Sequence, residues 1–334
     1  MHEKSGLDFK KSSSTKSRSL LRLWLPSLIA VILLGVAIWV LHHELKGIHY
    51  RDVSEAFSAL PGSKLLLAFI FCLLNYLALT SYDQLGFLYI GQRLARRRIA
   101  LTAFVSYAVS NNVGFALLSG TAVRHRFYTR WGVPTEDFTR IVVFNAITYW
   151  LGLLALAGYS LIFHVDSYLS GGIAQSSAQW LGIGCMLIAV SYLLLPVLRK
   201  DPLMVRGFQM KMPSVPLAVG QLVLSILEWI LAAAVLFILL PEGGPSYGAL
   251  LGAFLAAQVI GIISHVPGGI GVFEGIMVLL LAPYLPSDDS ITALLLYRLI
   301  YYVVPLVLAL LILVGDELRN HRARFRPRGK SMGD

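Results

Sequence analysis

Residues 214–240 read SVPLAVGQLVLSILEWILAAAVLFILL, and this stretch decides the fold class. It is long enough to cross a hydrocarbon core of ~30 Å as an α-helix, and Glu228 at its middle is its only charged residue. The rest of the 334-residue chain has the same character, with 57% hydrophobic residues, 14% charged residues and a mean hydropathy of +0.71. A soluble domain carries about 25% charged residues, so water is not the main solvent of this one. A transmembrane β-barrel would show short alternating segments, and the chain has none. The reading is an all-α polytopic membrane protein.

Six stretches read as full spans: 20–42, 65–90, 137–163, 179–197, 214–240 and 290–314. The first follows a basic tail and exceeds the ~7–15 apolar residues of a cleaved signal peptide, so it reads as retained. Five polar stretches, 1–19, 91–98, 119–136, 198–213 and 315–334, hold 22 of the 28 Lys and Arg, whereas 164–178, 241–247 and 284–290 hold none. The positive-inside rule places the basic stretches, and with them both termini, in the cytoplasm. The net charge of +10 therefore follows topology and does not indicate nucleic acid. The division is a basic tail (1–19), a transmembrane domain (20–314) and a second basic tail (315–334). Cys72 and Cys185 both fall in apolar segments and read as buried hydrophobes.

Two further apolar segments are interrupted. The first, 99–122, is broken at Ser110-Asn111-Asn112-Val-Gly114 and again at Ser119-Gly-Thr121. A full crossing would put Arg124, Arg126 and Arg130 on the wrong side, so it reads as a re-entrant hairpin. The second, 247–282, is broken at His265-Val-Pro267-Gly268-Gly269-Ile-Gly271, where proline removes a donor and glycine frees the backbone. Here a re-entrant hairpin and two full crossings satisfy the charge rule equally. The halves 20–163 and 179–314 then share one pattern, two spans, a hairpin and a span, in opposite orientation. Inverted repeats with broken helices near the midplane are a transporter design. Residues 51–60 add helical spacing that fits a short surface helix.

A charge near the bilayer centre costs at least ~2.5–3.5 kcal/mol, so it lines a cavity or pairs. Glu228, Glu274 and Arg298 are such charges, and Tyr301 and Tyr302 share the helix face of Arg298. One reading is an ion pair of Arg298 with Glu274 or Glu228 that holds helices together; the other is binding of a polar headgroup. Arg124 and Arg126 suit a lipid phosphate, or serve as plain anchors on the basic side. Asp83 reads equally as a snorkelling or capping group and as a functional one. Asn111, Asn112, Asn145 and Tyr149 are candidate polar lining. No phosphate loop, HExxH pair or GxSxG elbow is present, so no catalytic set, metal site or cofactor is expected.

Three stretches carry a resemblance: Ser119-Gly-Thr-Ala-Val-Arg124-His-Arg126-Phe-Tyr128 with Trp131-Gly-Val and Tyr149-Trp-Leu-Gly152; Ile263-Ser-His-Val-Pro267-Gly-Gly-Ile-Gly271-Val-Phe-Glu274; and Leu296-Tyr-Arg298-Leu-Ile-Tyr301-Tyr302-Val-Val-Pro305. Over residues 100–310 the chain resembles the membrane flippase domain of bacterial lysylphosphatidylglycerol synthase/flippase proteins, the multiple peptide resistance factors. The resemblance implies translocation of a phospholipid, such as aminoacylated phosphatidylglycerol, across the bacterial cytoplasmic membrane. Only about 20 polar residues follow the last span, so no synthase domain is expected in this chain. A separately encoded lipid synthase or transferase is the expected partner, and an accessory protein presenting a lipid-linked substrate to it is the alternative function. Self-association into a homo-oligomer stays open.

Overall fold

A computed structural model describes residues 60–113, 116–165, 172–199, 203–205 and 208–325. The expected first span at 20–42, the surface helix over 51–60 apart from Leu60, and Gly114 of the first break lie outside the described residues. The helices are α1 (Gly62–Ile90), α2 (Arg96–Val113), α3 (Ala116–Arg130), α4 (Thr135–Phe163), α5 (Gly172–Leu198), α6 (Val215–Leu239), α7 (Tyr247–Ile263), α8 (Val272–Leu281), α9 (Ser287–Tyr297) and α10 (Val304–Phe325). A π-helical segment, Arg298–Val303, joins α9 to α10 without a break. Five helical stretches, Gly62–Ile90, Thr135–Phe163, Ile173–Leu198, Val215–Leu239 and Ser287–Arg319, are long and apolar enough to cross a membrane. They coincide with the five expected spans that fall on described residues.

Local chemistry sets the helix ends. Gly91 closes α1 in the left-handed conformation, with its N–H on the Leu88 carbonyl. Glu136 and Asp137 sit in the first turn of α4, where carboxylates favour the positive end of the helix dipole, and Arg140 reaches both at 2.5 and 3.1 Å. Ser246 caps α7 through its hydroxyl on the Ala249 N–H. In the basic loop between α5 and α6, Leu203–Val205 (β1) pairs antiparallel with Phe208–Met210 (β2). The sequence pattern gave no sign of this small hairpin.

Contacts at the helix ends fix the topology. Gln92, just past α1, donates to Asp137 of α4 at 2.8 Å, and the Tyr89 hydroxyl donates to the Lys211 carbonyl at 2.6 Å. Arg126 and Arg130 of α3 pair with Asp316 of α10. Four basic stretches thus meet at one end of the bundle, and α2–α3 leaves and returns at that end as a re-entrant hairpin. At the opposite end, Gly248 of α7 lies against the His164 ring that ends α4, and Leu285 lies beside Gly244. The second hairpin, α7–α8, therefore begins and returns there. With only 10 residues, α8 rises ~15 Å, about half a hydrocarbon core, so re-entry is the correct choice between the two readings. The hairpins enter from opposite ends, as an inverted arrangement requires.

Three details differ from expectation. Ser119-Gly120-Thr121 is not a break but lies within α3, which runs on to Arg130; Gly120 is the point where α3 approaches α2, and a side chain there would strike the Ser110 hydroxyl. Asn111 and Asn112 remain helical in α2. The last helix does not end at 314 but continues to Phe325, because Asp316 and Glu317 are held by arginines of α3.

The most extensive pairing of described helices is that of α1 along α6, and Tyr76 and Leu79 on α1 share one buried cluster with Ala232, Ala233 and Val235 on α6. Asp83, fully buried, does not snorkel: Arg124 grips it with two bonds of 2.9 Å, and the Tyr128 hydroxyl donates to it at 3.0 Å. This pair bolts the first hairpin to α1. Breaking a buried pair by removing one partner costs about 3–5 kcal/mol, while an apolar replacement of both is close to neutral. Arg124→Met alone should therefore lower stability by that amount, and the double variant Asp83→Leu/Arg124→Met should recover most of it in a thermal double-mutant cycle. Gly152 tests the α4–α6 crossing, since a Cβ there would lie 2.6 Å from Ser225 backbone and side chain. Gly152→Ala should cost about 1–3 kcal/mol as an overpacked contact, whereas Gly184→Ala, with open space around it inside α5, should not lower the melting midpoint.

Candidate functional site

Proline at 305 shapes the site from within the last helix. It has no N–H to offer the Tyr301 carbonyl four residues back, and the helix widens to π geometry just before it, with the Val304 N–H on the Leu299 carbonyl. Three successive carbonyls are then taken by side chains of other helices. The Cys72 thiol reaches Ile300 O at 3.4 Å, the Tyr76 hydroxyl reaches Tyr301 O at 3.2 Å, and the Asn112 amide reaches Tyr302 O at 3.3 Å. Lipid offers no substitute donors, so these contacts fix α1, the tip of α2 and the last helix together.

The widened segment presents Arg298, Tyr301 and Tyr302 inward. Arg298 is 6% exposed; its Nε donates to Glu274 Oε1 at 2.7 Å, and its Nη2 bonds the same oxygen. Nη1 lies 3.5 Å from the Gly268 carbonyl, and the guanidinium covers the Tyr302 ring at 5.2 Å. The other Glu274 oxygen accepts from the Gly271 N–H at 2.7 Å, capping α8. Arg298 thus closes the break at Pro267–Gly269, where Gly268, Gly269 and Gly271 have φ of 60, 64 and 78°, a region side chains avoid. Of the two acids weighed as its partner, Arg298 takes Glu274.

That leaves Glu228 in other company. It is 3% exposed on α6, facing Asn75 and Tyr82 on one side of α1. The Asn75 amide donates to the Glu228 carbonyl at 2.7 Å and reaches its Oε1 at 3.4 Å. The Tyr82 hydroxyl lies 3.4 Å from Oε2. Asn75 Oδ1 in turn accepts from the Tyr301 hydroxyl at 2.9 Å, which links Glu228 to the π segment. Glu228 borders a cavity of about 100 Å³ lined by Ser110 and Asn111 from the first hairpin, by Gly261, Val266, Gly268 and Gly269 from the second, and by the aromatic rings of Tyr107, Tyr149, Trp229, Phe254, Phe273, Tyr301 and Tyr302. Both hairpin tips therefore meet on one interior space, with Gln258 bonded to the Tyr302 hydroxyl at its edge. No Lys, Arg or His is among the described lining residues.

The remaining candidates lie elsewhere. Arg124 is committed to Asp83, and Arg126, 8% exposed, is held by Asp316 and Glu317 at 3.2 and 2.6 Å, so neither guanidinium lines the cavity. Asn112 serves the Tyr302 carbonyl. Asn145 is buried beside Gly86, away from the cavity, while Tyr149 of the same helix lines it. The sequence reading missed Asn75, Tyr82 and Gln258. Each is a polar residue inside an apolar helix, the signal that exposed Glu228, but of a less costly kind. Among the described residues no three His, Cys, Asp or Glu side chains are grouped to hold a metal.

Comparison with known proteins places this architecture. The family model described as the lysylphosphatidylglycerol synthase TM region matches residues 27–309. The uncharacterized protein slr0712 of Synechocystis is 36% identical over 92% of this chain and 97% of its own. The inner membrane protein YbhN of Escherichia coli is 31% identical over 90% of this chain and 93% of its own. The phosphatidylglycerol lysyltransferase of Staphylococcus aureus is 26% identical over 81% of this chain but only 32% of its own length, so the likeness is to one part of that protein. This chain is a multi-pass membrane protein and belongs to the family of the lysylphosphatidylglycerol synthase TM region.

Proposed function

We propose that this protein moves a phospholipid between the leaflets of a bacterial cytoplasmic membrane, with aminoacylated phosphatidylglycerol as the leading substrate and with the basic end of the bundle and both termini in the cytoplasm. The observation that carries the reading is the meeting of two oppositely inserted hairpins on an interior polar cavity that contains a carboxylate. A headgroup crossing hydrocarbon must find polar partners along its way, because ionised groups at that depth are otherwise costly. Broken helices supply such partners where irregular backbone borders a cavity. The chain has no phosphate loop for nucleotide hydrolysis, so movement follows a lipid or ion gradient. The name of the Staphylococcus relative adds support for a phosphatidylglycerol-derived lipid.

A second reading has a specific observation behind it. The match covers 32% of the lysyltransferase, which leaves most of that protein without a counterpart in the aligned region. On this reading the chain is an accessory protein that presents a lipid-linked substrate to a separately encoded synthase or transferase.

The two readings part in a reconstituted-vesicle assay with headgroup-labelled lipids. The transport reading expects accelerated transfer of at least one member of a panel of anionic and aminoacylated lipids. Glu228→Gln, nearly identical in shape, should slow that transfer at least about tenfold, equivalent to ~1.4 kcal/mol in the barrier. Leu187→Ala, on the exposed face of α5, should not. Absence of acceleration across the whole panel, with a transferase co-purifying, would establish the accessory role instead.

A further inference from the structure

We infer that the Glu228 cavity is a binding site for a small monovalent cation, either a free alkali ion or the ammonium group of a lipid headgroup, and that phosphate does not bind beside Glu228. Only the second source rests on the lipid-moving reading.

Charge balance points there first. Asp83 and Glu274 each have an arginine against them. Glu228 is as deeply placed, yet the groups that reach its carboxylate are the Asn75 amide and the Tyr82 hydroxyl, both neutral, and no basic side chain is among the described lining residues. A buried carboxylate in such a place is most stable with a cation beside it. The C-terminal ends of α2, at Ser110 and Asn111, and of α7, at Gly261 and Ile262, both border the cavity, and helix C-termini carry partial negative charge. The N-terminal end of α8 borders the cavity at Phe273, but its positive dipole is met by the Glu274 carboxylate that caps it. The two C-terminal ends are not so neutralised by any described lining residue. Half-helix ends of this kind coordinate cations in transporters.

The walls narrow the ligand further. Tyr149, Trp229, Tyr301 and Tyr302 line the space around Glu228, and aromatic faces attract cations, ammonium groups included. The cavity, about 100 Å³, has room for a partly hydrated alkali ion or a primary ammonium. A phosphate would meet the Glu228 carboxylate as a like charge. A phosphate passing through this interior must therefore keep its distance from Glu228.

The test is a ligand-induced shift of the thermal midpoint of the purified full chain in detergent, since a ligand that binds only the folded state raises it in a saturable way. Sodium, potassium and methylammonium chlorides are compared with N-methylglucamine chloride and N-methylglucamine phosphate at equal ionic strength. The expected result is a saturable rise with at least one of the three small cations, none with phosphate beyond that of the matching chloride, and loss of the rise in Glu228→Gln. Glu228→Asp keeps the charge and guards against a folding artefact; its response should persist with affinity weakened at least about tenfold, as for one impaired charged contact. A rise with an alkali ion identifies the free ion. A rise with methylammonium alone, reproduced in nanodiscs of phosphatidylethanolamine but not phosphatidylglycerol, identifies the headgroup. No saturable rise with any small cation, a rise unchanged in folded Glu228→Gln or Glu228→Asp, or a phosphate-specific rise lost in Glu228→Gln would overturn the site. Because the readout needs no transport, a chain that binds the cation but moves no lipid refutes the transport reading alone. Lipid transfer without a cation shift refutes the site alone.

Discussion

The constraint on which the rest of this structure depends is that a carbonyl inside the bilayer must find a donor within the protein. Pro305 withdraws one donor from the last helix, and the π segment rearranges its neighbours. The three carbonyls at Ile300, Tyr301 and Tyr302 are then served by Cys72, Tyr76 and Asn112. Those residues belong to α1 and to the tip of the first hairpin, so one backbone irregularity determines which helices lie against the last one. It also turns Arg298 toward the second hairpin and Tyr301 toward Asn75. Without the π segment, the residues that connect Glu228 to the hairpin break would not share one space.

The same constraint explains why the cavity lies where it does. Each hairpin reverses inside the bundle, and a reversal exposes backbone that lipid cannot satisfy. Packing the two tips against each other and against polar side chains answers both needs with one interior. The second tip is sealed by the chain from Arg298 through Glu274 to the Gly271 N–H. At the first, Asn112 takes the Ala108 carbonyl at 2.7 Å as well as that of Tyr302. Glu228 is the member of this interior whose presence packing does not require, because a leucine would satisfy the helix as well. Its place beside the neutral Asn75 and Tyr82 is what directs attention to a ligand.

Much of this could be read from the sequence because its signals are local or one-dimensional. The Arg and Lys runs at 91–98, 119–136 and 198–213 mark one end of the bundle, and the structure gathers them through Gln92, Tyr89 and Arg126. The Pro267-Gly-Gly break is encoded in backbone freedom alone. The choice of Glu274 over Glu228 as the partner of Arg298 was not readable, since it depends on the π segment turning that arginine, and this turn depends on donors about 190 to 230 positions away in the chain. The fate of Arg124 was hidden for the same reason: nothing near it announces Asp83, 41 residues earlier. Gly120 misled because a glycine that permits a close helix crossing looks, in sequence, like one that ends a helix.

The ion pairs differ in how firmly they hold, and that ranks the joints at which the hairpins can move. Asp83 and Arg124 have side-chain exposures of 0% and 7%, so separating them would leave uncompensated buried charge at about 3–5 kcal/mol. The same hairpin's outer contact, from Arg126 to Glu317, has one partner 40% exposed, and pairs with a solvated partner contribute about 0–1 kcal/mol. The first hairpin is therefore fixed to α1 by its most deeply buried pair and to α10 by a more exposed network that also includes Asp316. On the second hairpin, Arg298 is 7% and Glu274 28% exposed, between those extremes. Among the described residues this is the second hairpin's ion pair, beside the Tyr247–Ile230 and Gln258–Tyr302 hydrogen bonds. Its break is built on glycines whose backbone can change at little steric expense, while the first carries a buried two-bond clamp. If one hairpin moves against the frame of α1, α6 and the last helix, the physical chemistry of these joints selects the second, and the Arg298–Glu274 pair is the contact that must open.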